Sequence, residues 1–191
     1  MIRSPKILVF AGANRSGTPA GKLAALAAKE CAIAGAEVTH ISLADYPLPI
    51  QDADRATDDA VPDNATRLAR MIAAHHGVFV ATPERNHAMA ALLANALDWV
   101  SRVRHSGSIA YRNRVYLIGG TSDGSDGGVR AVLDLRKVLA AVGGIVLPGE
   151  IAIPRAQYAF DESGALVDEA AAAALGDLAR QLIEFAGRLA D

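Results

Sequence analysis

The residues Thr82-Pro83-Glu84-Arg85-Asn86-His87 place a carboxylate, a guanidinium, an amide and an imidazole side by side. They follow the apolar run Gly77-Val78-Phe79-Val80-Ala81, which reads as a strand buried on both faces. Open α/β sheets hold their ligands just beyond the C-terminal ends of such strands. A loop of this composition can hydrogen-bond the polar edge of a flat ligand. The planar guanidinium of Arg85 can stack on a ring or pair with an anion. His87 is a further polar group in the same loop.

Two other loops also follow apolar runs. The first is Gly12-Ala13-Asn14-Arg15-Ser16-Gly17-Thr18, ahead of a helix expected from Ala20. A helix N-terminus offers unpaired N–H groups and a partial positive charge, so this loop can cradle a phosphate with Arg15 adding a charged contact. The plainer reading is a tight strand-to-helix turn capped by Thr18. A Walker loop is excluded, since Gly21-Lys22 is followed by Leu23 rather than Ser or Thr, and no G-x-G-x-x-G fingerprint is present. The second loop is Gly119-Gly120-Thr121-Ser122-Asp123-Gly124-Ser125-Asp126-Gly127-Gly128, leading to a helix that carries Arg130 and Arg136. Its glycines allow the backbone close to a ligand edge. Its plainer reading is a flexible surface loop with Asp126 as the helix cap.

The elements that would position these loops alternate strictly. Strands are expected at 6–11, 37–43, 77–81, 114–119 and 145–153, the last broken near Pro148-Gly149, and helices at 20–34, 63–76, 89–102, 128–142 and 168–189. That alternation predicts a parallel sheet covered by helices on both faces. Five strands suit the flavodoxin-like three-layer order 2-1-3-4-5 better than a six-stranded Rossmann sheet. We expect residues 1–191 to form one domain. The longest irregular stretch, 44–61, is rich in Pro and Asp, as a functional or mobile loop would be.

Composition narrows the function. A net charge of -2 gives no footprint for nucleic acid or an anionic membrane surface. The lone Cys31 cannot form an internal disulfide, and no apolar run reaches the roughly 20 residues of a bilayer span. The short apolar stretch after Arg3 and Lys6 reads as a strand, not a signal peptide. A cytoplasmic protein is expected. His75-His76 reads as a helix end, the acidic group Asp52, Asp54, Asp58 and Asp59 as a solvated patch, and Trp99 as a packing or subunit-contact residue. No metal site is expected.

Taken together, three ordered segments resemble the NADPH-dependent FMN reductase family over about residues 5–155. Residues 12–24 are similar to G-S-x-R-x-x-S-x-N-x-x-L-A. Residues 82–99 resemble T-P-E-Y-N-G-S-x-P-G-x-L-K-N-A-x-D-W, through Thr82, Pro83, Glu84, Asn86, Leu93, Asn95, Ala96, Asp98 and Trp99. The third segment, Ser122, Gly124, Gly127, Gly128 and Arg130, resembles S-x-G-x-x-G-G-x-R. The resemblance implies a bound FMN with its phosphate near Gly12, Asn14, Arg15, Thr18 and Ala20. Pro83, Glu84, Arg85, Asn86 and His87 would line its ring, and Ser122 to Gly128 would cover the other side of the flavin edge. It implies an NAD(P)H oxidoreductase, using NADPH or NADH and passing electrons to quinone, azo, metal or free-flavin acceptors. It further implies a homodimer or homotetramer, in which Arg102 and Arg104 could meet a partner subunit. The chemistry is centred on the flavin, so no catalytic side chain is expected.

The departures fall in the loops. Ala13 and Ala20 replace the family's Ser and Asn, Arg85 its Tyr, His87-Ala88 its Gly-Ser, and Ala90-Ala91 its Pro-Gly. Each lost hydrogen bond to a charged phosphate costs roughly 1.5–3 kcal/mol, so two such losses weaken FMN binding by about two orders of magnitude or more. The alternative expectation is therefore a flavodoxin-like module that has lost tight FMN binding and has a regulatory or interaction role.

Overall fold

The computed structural model describes residues 4–52, 61–105 and 108–190. The chain runs β1 (Lys6–Ala11), α1 (Pro19–Ile33), β2 (Glu37–His40), α2 (Asp63–Ala73), β3 (Gly77–Arg85), β4 (Ala88–Met89), α3 (Ala91–Arg102), β5 (Arg104–His105), β6 (Ser108–Ile109), β7 (Val115–Thr121), α4 (Val129–Ala141), β8 (Ile145–Ile153) and α5 (Glu169–Arg188). The main sheet is ordered β2-β1-β3-β7-β8, and these pairs are all parallel. This is the expected 2-1-3-4-5 order once the short strands are set aside. β4 folds back antiparallel onto β3, and β5 pairs with β6 in a separate ribbon.

The apolar strands bury both faces because helices cover both. Leu8, Phe10, Val78, Val80 and Ile118 pack with α2, α3 and α4, while Ile7, Val9, Phe79 and Leu117 pack with α1 and α5. Alternate residues of one strand thus feed two separate cores, as its period of two requires.

Several expected bounds shift. β2 ends at His40, because Ser42 caps a single 3₁₀ turn at Leu43–Asp45. α2 ends at Ala73 rather than His76. β3 and β7 keep pairing past their apolar cores, to Pro83 opposite Thr121, and β3 runs on through Arg85 because Glu84 and Arg85 pair with β4. α3 starts at Ala91, since Ala88 and Met89 are taken into the β4 pairing. The expected break in β8 is a bulge. Tyr116 faces Val146 and Ile118 faces Glu150, so Leu147-Pro148-Gly149 stands opposite Leu117 alone. An edge strand tolerates Pro there. Arg136 fastens the bulge, donating to the Leu147 and Pro148 carbonyls (2.7 and 3.2 Å) and to Glu150 (2.7 Å), so it is committed to the sheet edge.

The described part of the long loop is tied down. The Trp99 indole N–H and the Asn95 amide both donate to the Pro49 carbonyl, at 2.7 and 2.9 Å, and the Gln51 N–H donates to Asn95. Trp99 is buried and packs within the chain. Asp54, Asp58 and Asp59 lie outside the described residues.

His75 and His76 are structural. His75 is buried, with Nδ1 2.6 Å from the Met71 carbonyl and Nε2 2.8 Å from the Thr39 hydroxyl. A carbonyl only accepts, so Nδ1 carries the proton and Nε2 receives the Thr39 hydroxyl. His76 Nδ1 accepts the Lys6 N–H at 2.9 Å. Burial lowers the pKa of His75 and of His40 below the ordinary 6.5. Below pH 6.5 the unfolded chain then binds protons that the folded chain does not, so stability falls as the pH drops from there and stays level above it. Thermal melts from about pH 8 to about pH 5 are expected to show that decline, and His75→Gln to make it shallower. An unchanged slope in the variant would contradict the assignment.

Candidate functional site

At the C-terminal ends of the strands lies a cleft of about 600 Å³, inside the roughly 300–1,000 Å³ range of small-ligand sites. It opens where the sheet order reverses between β1 and β3, the ligand position of this topology.

The β1–α1 loop forms one wall. The Gly12 N–H donates to the Ala81 carbonyl at 2.7 Å, and a Cβ at Gly12 would stand 2.8 Å from Leu93 Cβ. Only a glycine lets the loop leave β1 that close to α3. Thr18 caps α1, its hydroxyl accepting the Gly21 N–H at 3.2 Å, and Pro19 takes the first helical position, where no N–H is needed. The hydroxyl proton of Thr18 stays available. The N–H groups of Asn14, Arg15 and Ser16 find no acceptor among the described residues. Arg15 is exposed on the same loop, and Asn14, Arg15, Gly17, Thr18 and Lys22 line the cleft. The donor set suits a phosphate monoester, so the cleft fits the phosphate end of FMN. Ala20 adds no side-chain donor to it, because its methyl is fully buried in the core beneath α1.

The β3–β4 hairpin forms the second wall. Pro83, Glu84 and Arg85 line the cleft. Asn86 and His87 make the turn, both left-handed at φ 50° and 60°. A two-residue hairpin of this hand favours Asn then Gly, so His87 holds a conformation costly for a side chain. The Glu84 side chain is almost wholly buried. One oxygen accepts the N–H groups of Arg130 and Ala131 at 3.1 and 3.3 Å, and the other lies 3.5 Å from His87 Nδ1. α4 has no side-chain cap of its own, so Glu84 caps it from another strand.

Ser122, with Thr121 and Asp123, forms the third wall. This loop is anchored to the segment after β8: the N–H groups of Arg155 and Ala156 donate to Gly124 and Ser122 carbonyls, both at 3.0 Å. Gly127 and Gly128 are left-handed, at φ 65° and 86°, and sit against the backbones of Ala152 and Thr121. Gly124, Gly127 and Gly128 shape the loop without lining the cleft. Asp126 takes the Arg130 guanidinium at 2.6 Å instead of capping the helix, and that hydrogen bond holds its carboxyl below the usual carboxylate range.

The structure thus gathers Gly12, Asn14, Arg15, Thr18, Pro83, Glu84, Arg85 and Ser122 around one cleft, with Asn86 and His87 at the hairpin tip. Sequence reasoning passed over Lys22, Leu92 and a fourth wall, Ala156, Gln157 and Phe160 from the segment after β8. Lys22 lies inside the inspected segment 12–24 but was weighed there only against a Walker loop. The fourth wall carries no motif and reaches the site only through the parallel sheet.

Among the described residues no helix is long and apolar enough to cross a membrane. The profile of the NADPH-dependent FMN reductase family matches residues 5–157. The chain is 37% identical over 133 residues to an NADH:(hydroxy)cinnamate reductase subunit, CrdA, of Vibrio ruber, covering 68% of this chain and 64% of that protein. It is 32% identical over 143 residues to a quinone reductase of Escherichia coli, covering 74% and 73%, and 30% identical over 199 residues to a probable NADPH:quinone oxidoreductase 2 of Oryza sativa, covering 97% and 92%. Its fold matches the flavoenzyme NAD(P)H:(acceptor) oxidoreductase FerB of Paracoccus denitrificans with a TM-score of 0.76 at 24% identity, covering 96% and 98% of the two chains. With that match across most of its length, the chain belongs to the NADPH-dependent FMN reductase family of flavin-dependent NAD(P)H oxidoreductases.

Proposed function

We propose that this oxidoreductase passes electrons from NAD(P)H, through FMN held in the cleft, to a quinone, azo, metal or free-flavin acceptor, with quinones favoured. The observation that carries the reading is the union, in one cleft at the sheet's reversal point, of a phosphate-type donor set and two loops able to flank a flat ring. Relatives named quinone reductase and 2-hydroxy-1,4-benzoquinone reductase support the acceptor class.

In this reading Gly12, Asn14, Arg15 and Thr18 hold the phosphate, with the backbone N–H of Ala20 at the helix end. The loops Pro83 to His87 and Ser122 to Gly128 flank the ring, with Gly124, Gly127 and Gly128 shaping the second loop, and Ala90 and Leu92 exclude water there. Bound flavin supplies the hydride and electron transfer, while the chain binds, orients and shields it. Arg85, exposed and without a carboxylate partner among the described residues, faces the acceptor side. The chain would work as one domain in a cytoplasmic homodimer or homotetramer. Sedimentation that returns a monomer would overturn the assembly.

The test is titration of the purified chain with FMN and, in parallel, riboflavin, followed by NAD(P)H oxidation with a quinone acceptor. Micromolar or tighter FMN binding is expected. Arg15→Ala should weaken FMN by roughly 10–100-fold through one lost charge-assisted contact and leave riboflavin unchanged. No binding at about 100 μM FMN, a free energy weaker than about -5.5 kcal/mol, would transfer the weight to a module that no longer holds flavin.

A further inference from the structure

Lys22 is a cation placed where the fold by itself does not want one. With Thr18 as cap, it is the fourth residue of α1. A positive charge near a helix N-terminus opposes the helix dipole. The first turn of α1 carries no acidic residue, and no carboxylate pairs with Lys22 among the described residues. Its ammonium instead lies 5.6 Å from the centroid of the Phe160 ring, on the segment after β8. Both residues line the cleft, on the side where the N–H groups of residues 14–16 are free. Two residues earlier, Ala20 turns a buried methyl into the core, so that position sends no side-chain donor into the cleft.

We infer that Lys22 is a second cationic ligand of the phosphate, supplying the contact that Ala20 cannot, and that Phe160 is a positioning residue that aims its ammonium. This rests on the reading of the cleft as an FMN site. A bound dianion would turn the unfavourable position of Lys22 into a favourable one, because it would attract both the cation and the positive helix end. The aromatic face of Phe160 holds the ammonium without neutralising it, which a carboxylate in the same place would do. The segment after β8 thereby closes the phosphate end of the site.

The experiment is equilibrium titration of the apo chain with FMN and with riboflavin, which lacks the phosphate, in the unaltered protein and in Lys22→Met, Lys22→Arg and Phe160→Leu. Lys22→Met should weaken FMN roughly 10–100-fold, leave riboflavin unchanged and flatten the dependence of FMN affinity on salt. Lys22→Arg should stay within a few-fold of the original, and Phe160→Leu should lose roughly 2–5-fold for FMN alone. Undiminished FMN binding by Lys22→Met, or equal losses for FMN and riboflavin, would overturn the inference while the cofactor reading stands. An unaltered chain that binds neither flavin would overturn both.

Discussion

Glu84→Ala is expected to destabilise the apo protein by about 2–3 kcal/mol, through a lost helix cap and two stranded backbone donors, and to lower its melting temperature by roughly 4–12 °C. The Glu84 carboxylate accepts two N–H groups from the first turn of α4, a helix with no cap from its own sequence, and is almost fully buried there. Removing it leaves Arg130 and Ala131 N–H groups without an acceptor in a partly buried place, and frees the β3–β4 hairpin from α4. Glu84→Gln keeps one acceptor oxygen and loses the charge, so its loss should be about half as large. Thermal melts without flavin decide the matter. A Glu84→Ala chain that melts normally but binds FMN poorly would show a ligand contact in place of a structural cap. The opposite outcome makes the conspicuous carboxylate of the sequence motif a strut that sets where Pro83 and Arg85 stand.

Gly127→Ala should cost about 2–5 kcal/mol, whereas Gly124→Ala, three residues earlier in the same loop, should cost almost nothing. Gly127 has φ 65°, and an added Cβ would lie 2.9 Å from the carbonyl carbon of Ala152. The left-handed conformation accounts for about 1–2 kcal/mol and the overpacking for about 1–3 kcal/mol, because a strand backbone has little room to give. Gly124 meets nothing nearer than Ser122 Oγ at 3.5 Å and has no positive φ. Denaturant melts of the two variants test the contrast. Equal stability would remove the packing explanation for Gly127. A Gly124→Ala chain of normal stability that lost FMN affinity would assign that glycine to ligand approach.

The sequence alone determined the architecture and the location of the site. Strict alternation of apolar strands with amphipathic helices leaves few topologies, and the polar loops after residues 11, 81 and 119 could meet only at the C-terminal edge of a parallel sheet. The residues of the β1–α1 loop were legible for a local reason. Gly12, Arg15 and Thr18 act within one strand–loop–helix unit, whose geometry follows from neighbouring residues.

What the sequence could not assign were the partners. Glu84 and Ala20 both stand in motif positions, yet one carboxylate caps a helix 46 residues away and one methyl fills the core. Side-chain direction at those points depends on how β3 meets α4 and how α1 settles on the sheet. The extension of β3 to Pro83 has the same origin, while Glu84 and Arg85 pair with β4 in the local hairpin. The ladder to Pro83 is completed by β7, and no propensity of Thr82-Pro83 announces it. Phe160 reaches Lys22 across 138 residues because β8 lies at the far edge of the sheet and its following segment folds back over the cleft. Local spacing specifies periodicity and turns, while contacts between distant segments are chosen by packing of the whole. The tertiary structure therefore decided which polar residues are free to bind and which are already spent on the fold.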